Sequence, residues 1–446
     1  MTDRLAEVDD CADSAAPSRS FRRSLALPLL LGAGAASSFT TSIMGVILVP
    51  IQKEFGLTDS NLGLLVNTGF GLGIVITALP AGYLIDRSSR KIALVLALFF
   101  AGLVTGLGVF GGVLGILMTR TMSGAFHAPC GPAVTSMLTD LYPAERRAAA
   151  MSAYIVALIA GNVLNYLIGG YVAGHYGWRG VLVLGGAASA VVGAILMPLL
   201  QEPDQSRERP KTSAAEIPSL MPTLKFIWQQ RAVVHVIAAC VLGITTMSAT
   251  MVWLVPFYVR LFDFTLSQAG TAVGLGAVGV CGFGALIGGF VTDKLSRRDQ
   301  RWKTGVPAVA IAISSLAVIL MVTVHSIYWA IALMVLWSSC IQVHIGPAWA
   351  VSQSLVPPRM RGRAATILSS TPTLLGVGLG PALAGGLSQL LIPHFGYQSI
   401  RYALGGVNLL NVVVIFWYLV AMRYMRADQA RLDLYLGKSA TPSASF

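Results

Sequence analysis

Charge is scarce in this chain. Asp, Glu, Lys and Arg make up 11% of its 446 residues, 55% are hydrophobic, and the mean hydropathy is +0.71. A soluble domain has about a quarter of its residues charged, so that class is excluded. Nucleic acid is no expected partner, because the net charge of +12 is spread between apolar runs. Acids are scarcer than bases, nineteen against thirty-one. None of the nineteen falls mid-way along an apolar run; the deepest by position are Asp86, Asp140 and Asp293, at run ends. Cysteine is equally uninformative. Cys11 lies in a polar tail, while Cys130, Cys240, Cys281 and Cys340 lie in apolar runs without CxxC spacing, as small buried hydrophobes do. Within the runs there is no Ser-His-Asp set, HExxH or nucleotide loop, and Gly-rich stretches such as 111–115 fit helix packing. The chain is read as no enzyme, with no metal and no cofactor.

What remains is a succession of long apolar runs, each too long for a strand and without the alternation of an outer-membrane barrel. Twelve are counted: 24–49, 61–85, 91–110, 113–139, 148–173, 178–200, 232–257, 268–292, 305–325, 328–353, 364–392 and 400–422. This predicts an all-α membrane protein with twelve transmembrane helices in two pseudo-symmetric six-helix bundles. Its parts are a tail (1–23), an amino-terminal bundle (24–200), a charged Pro/Ser-rich linker (201–231) with room for a short amphipathic helix at its end, a carboxyl-terminal bundle (232–424) and a tail (425–446). Alternate loops hold Lys53, Arg179, Arg260 and Arg401 alone. With Arg120 set aside, 26 of the 31 Lys and Arg fall on the other side, so both termini are expected in the cytoplasm.

The two halves repeat. Gly82–Lys91 reads GYLIDRSSRK and Gly289–Arg298 reads GFVTDKLSRR, with matching glycine, aspartate and basic positions. Gly131-Pro132-Ala133 with Arg146 is repeated as Gly346-Pro347-Ala348 with Arg361. In both cases the second copy follows the first by nearly half the chain. A duplicated six-helix unit places a central site between two bundles.

The run 112–141 carries one arginine and one histidine. Arg120 and His127 are seven residues apart, so they share a helix face. Arg120 falls roughly 10 Å and His127 roughly 20 Å into a bilayer. A central arginine costs on the order of 3 kcal/mol even on the lenient insertion scale, so Arg120 either lines a cavity or snorkels outward. His127 is either a functional group or a partner for carbonyls freed by Pro129 and Pro132.

Twelve runs, a long central linker and GYLIDRSSRK resemble the major facilitator superfamily, with Ser89 where the family motif has glycine. The stretches 53–65, 128–150, 169–180, 355–368 and 378–391 are similar to its bacterial spinster-like branch, a relative of organic anion symporters. The resemblance implies a latch at Gly82, Asp86, Arg87, Arg90 and Lys91, with Asp293 in the second half. It also implies a cavity lined by helices one, four, seven and ten. The branch usually carries Asp-Arg in helix one and Gly-Glu-Ala in helix four; here these read Thr40-Thr41 and Phe126-His127-Ala128. Its proton-carrying carboxylates are therefore missing, and His127 and His344 are the titratable side chains left for coupling.

The expected substrate site is Arg120, His127, Thr40, Thr41, Asn165, Tyr166, Trp253, Gln342, His344 and Trp349. The expected function is secondary active transport of an organic anion or anionic amphipathic small molecule across a bacterial inner membrane, by alternating access. Proton coupling, membrane lipid as surroundings and a monomeric state belong to that expectation. The alternatives are an exporter of hydrophobic compounds and a transporter-like sensor.

Overall fold

Inside a bilayer the main chain finds no water, so a spanning segment must bond its own N–H and C=O groups, and a helix does so. The computed structural model describes residues 19–87, 89–202 and 220–436, and every regular element among them is helical. Among the described residues, nine segments are long and apolar enough to cross a membrane. Two of these, of 51 and 62 residues, double back, at Gly177 (φ 74°) and Gly396 (φ 54°). Glycine alone takes such angles without strain. The fourth run is missing from the nine because it is broken at Ala128–Pro129. Together these make twelve crossings.

The first six helices are 19–55, Asp59–Arg87, Arg90–Leu107, 113–141, 144–176 and 178–199. The second six are Arg231–Leu261, Leu266–Ser296, Trp302–Thr323, Ile327–Ser354, 361–395 and 399–435. Each six packs mainly within itself. The halves meet where helix two lies along helix eleven and helix five along helix eight.

Most of the expected tails and linker lie outside the described residues, but the end of the linker is as expected and helix twelve is longer than expected. Leu220–Gln229 forms a short helix, and helix twelve runs on to Tyr435 instead of ending near 424. The extension is docked: Asp428 Oδ2 accepts the Ala232 N–H at 2.6 Å, satisfying a free donor at the start of helix seven. Tyr435 meets Phe226 of the short helix, ring centroids 5.0 Å apart. Asp59 and Asp428 are the buried acids among the described residues, whereas Asp293 is exposed.

Close main-chain approaches occur in both halves. A Cβ on Gly124 of helix four would lie 2.2 Å from Phe70 O of helix two, and one on Gly284 of helix eight 1.8 Å from Ser339 O of helix ten. In each half a glycine lets two main chains touch, between helices two and four and between helices eight and ten. Wide π-helical turns occur in both halves but at different places along the paired helices, at Asn165–Gly169 in helix five and Thr373–Val377 in helix eleven. A third, Val273–Gly279, lies in helix eight.

Gly284→Leu should act as severe overpacking, at or above the upper end of about 1–3 kcal/mol, because main chain blocks the added atoms. Gly32→Leu, with nothing within 4 Å, should be neutral. The thermal midpoint and monodispersity of both variants in detergent check this contrast.

Candidate functional site

Helix one is interrupted at Ile43, where the turn tightens and the Val46 N–H reaches back to Ile43 O at 3.1 Å. The carbonyls just before the interruption turn to helix four. Arg120 Nη1 donates to Thr40 O at 3.4 Å and Nη2 to Thr41 O at 3.2 Å. A cation at the carbonyl end of a helix segment is favourably placed. Arg120 is only 2% exposed, so it does not snorkel. Its Nε has no hydrogen-bond partner, and it makes no ion pair among the described residues. The Phe70 ring of helix two covers the guanidinium, Cζ 4.6 Å from its centroid.

Two turns along the same face, His127 ends the first segment of helix four. Its Nε2 lies 3.0 Å from Ser37 Oγ and 3.2 Å from Thr41 Oγ1. Phe70 touches this ring too, with centroids 5.6 Å apart. The histidine does not serve the proline-freed carbonyls. Pro129 deprives Ala125 O of its usual donor, and Thr77 Oγ1 of helix two lies 3.1 Å from it, its one proton shared with Gly73 O at 2.7 Å. Arg120, His127, Thr41 and the Thr40 carbonyl thus form one cluster on helices one and four. The Thr40 hydroxyl itself turns away, to Ala36 O and Gly185 O. Ser37 and Phe70 complete the cluster and were not foreseen.

The other expected site residues lie elsewhere. Asn165 is fully buried in the helix-five π turn with its amide N and O unpartnered. Tyr166 packs its hydroxyl into the space left by Gly45 and its main chain against Gly270 of helix eight. Trp253 is buried far from the cluster, donating from Nε1 to Pro381 O at 3.0 Å. Gln342 and Trp349 are half-buried on helix ten. Gln342 begins the break of that helix at the position equivalent to His127, so it is the histidine's repeat partner. His344 sits inside the carboxyl half, with Nδ1 2.6 Å from Ile341 O and Nε2 turned to Gly243.

At the end of the molecule bearing the termini, Arg90 pairs with Asp140. Ser89 caps helix three through Ile92 N–H and donates its hydroxyl to Glu202. Glu202 accepts from the Arg90 and Lys91 N–H groups at 2.9 and 3.1 Å. Serine in place of the motif glycine therefore ties helix three to the end of helix six. The side chains of Asp86 and Arg87, and the surroundings of Gly82, lie outside what the structure describes.

Residues 30–374 match the family model for the Major Facilitator Superfamily. The chain belongs to that family. It is an integral membrane transporter by family and fold, not an enzyme. An MFS-type efflux pump of Mycolicibacterium smegmatis is 24% identical, covering 96% of this chain and 98% of that one. A sphingosine-1-phosphate transporter of Danio rerio is 23% identical, covering 90% and 84%. The structure of a bacterial homolog of the human lysosomal transporter Spinster aligns with TM-score 0.78 at 21% identity, covering 96% and 100%. The spinster-like resemblance stands on these.

One ring nitrogen makes one hydrogen bond, so Ser37 and Thr41 compete for His127 Nε2. Ser37→Ala or Thr41→Val alone should be nearly neutral there, since the other hydroxyl remains. The pair should lose about 0.5–1.5 kcal/mol more than the two singles combined, measured as a thermal or denaturant midpoint.

Proposed function

We propose that this major facilitator superfamily chain is an inner-membrane secondary transporter for an organic anion or an amphipathic molecule with an anionic head. The observation that carries the reading is Arg120, a guanidinium buried at membrane depth with carbonyl and ring partners but no carboxylate among the described residues. Breaking a buried ion pair leaves an uncompensated charge that destabilises by several kcal/mol. An anionic substrate group would supply the missing negative charge, with His127 as a second polar contact. Phe70 beside both offers apolar surface. The relative named for sphingosine-1-phosphate has a substrate of that description. The bias of basic residues supports termini on the cytoplasmic side. His127 is the proposed titratable partner if protons are coupled, and the working unit is a monomer in lipid. The second half contributes Gln342 and Trp349, and the motif residues Gly82, Asp86, Arg87, Arg90, Lys91 and Asp293 act as a latch on the termini side. The efflux pump relative supports a second reading, export of hydrophobic compounds; it would leave Arg120 a structural bridge to helix one.

The test is uptake of labelled organic anions and lysolipids into proteoliposomes with an internal pH dye. Arg120→Gln keeps amide donors for the helix-one carbonyls and removes the charge. It should stay folded and lose roughly 30-fold or more in kcat/KM. Equal uptake of an anion by the variant would overturn the anion site. Proton movement that follows substrate and vanishes in His127→Ala would assign coupling to that ring.

A further inference from the structure

The end of the molecule away from the termini holds a polar cluster that neither the motif nor the substrate site contains. Asp59 opens helix two and is 2% exposed. Its Oδ1 accepts from Arg260 Nη2 at 2.8 Å and Gln52 Nε2 at 2.7 Å. Its Oδ2 accepts from Arg260 Nη1 at 2.9 Å and Ser388 Oγ at 2.7 Å. Gln52 Oε1 takes a second bond from Arg260 at 2.7 Å, and the Asp59 N–H donates to Gln389 Oε1 at 3.2 Å. Gln52 and Asp59 belong to the first half, Arg260, Ser388 and Gln389 to the second. Of the ion pairs between described side chains, this one joins the halves. Main chain closes behind it: a Cβ on Gly385 would lie 2.3 Å from Asp59 O, and one on Gly63 2.4 Å from Pro381 O.

We propose that Asp59 is a proton-binding site that regulates access to the transport site, a proton on Asp59 and a closed clamp being mutually exclusive. Arg260 and Gln52 meet this carboxylate only as donors, and an acid O–H could be accepted there only if the Ser388 hydroxyl gave up its own donation to Asp59 and turned its proton to Ser399. The added proton would also leave Arg260 without its counter-charge. Arg260 of helix seven is the charged group facing Asp59; helices one and eleven present neutral Gln52, Ser388 and Gln389. Ser399, at the start of helix twelve, stands behind Ser388, Oγ to Oγ 3.0 Å. When the halves part at this end, Asp59 meets water and binds a proton as an ordinary carboxylate does, near pH 4. A ligand that binds one state draws the equilibrium toward it, so acid on this face holds the molecule open to this face. The proton enters and leaves on the same side. It controls the cycle and is not carried across.

The inference rests on the alternating-access reading, and its test reads the gate without substrate. Spin labels at Thr58→Cys and Tyr397→Cys, exposed positions on the two halves, report the distance across this end in nanodiscs. The background lacks native cysteines, and the pH runs from 7.5 to 3.5. The distance should lengthen on acidification in the wild-type background and stay long at every pH in Asp59→Asn. Ser388→Ala removes one donor from the closed state alone and should move the transition up by about 0.3–1 pH unit. A distance independent of pH overturns the proposal, and so does an acid response that persists in Asp59→Asn. If Asp59→Asn fails to fold, an unmoved transition in Ser388→Ala overturns it instead. Failure of the anion reading would appear only in the uptake of Arg120→Gln, leaving these distances unaffected.

Discussion

A guanidinium surrounded by hydrocarbon must be given oxygen atoms, and the first half of this protein is arranged around that requirement. Arg120 is met by two main-chain carbonyls, which are available because helix one is interrupted at Ile43. The interruption is tolerable in a membrane only because a side chain takes up the freed groups. Phe70 must approach closely to cover the guanidinium, and it does so because Gly124 lets helix two lie directly on helix four. The broken helix, the glycine crossing and the buried charge form one structural solution.

Helix four shows the same economy at its own break. Two prolines end the first segment near His127, and a threonine hydroxyl of helix two, shared with its own helix, reaches a carbonyl they release. The histidine is thereby free to face the hydroxyls of helix one. Position 344 carries the same residue type at the corresponding break of helix ten, yet its ring is enclosed by its own half. The environment, set by which neighbour lacks a side chain, separates two histidines that look alike in sequence.

The twelve crossings and their grouping into halves were legible in the sequence, because apolar run length and the spacing of basic residues are one-dimensional signals. The shared face of Arg120 and His127 was legible from a seven-residue spacing. Ser37 and Phe70 were not, since their roles depend on how helices one and two are rotated against helix four. Asp59 and Arg260 are 201 residues apart. Each reads as an ordinary polar residue at a helix end, so nothing local announces that they meet. The docked end of helix twelve escaped notice because Asp428 and Arg431 give that stretch the composition of a solvated tail. Asn165 and Trp253 have side chains rich in hydrogen-bonding or aromatic character, which packing between helices uses as readily as a ligand does.

The π turns set the two halves apart. Asn165–Gly169 begins nineteen residues after Arg146, whereas Thr373–Val377 begins twelve after the repeat-equivalent Arg361, and Val273–Gly279 has no counterpart in the uninterrupted helix Asp59–Arg87. The halves share an order of helices but not the places where those helices widen. Symmetry therefore holds for the scaffold of this molecule and stops at its irregular turns, where each half presents its own main-chain groups.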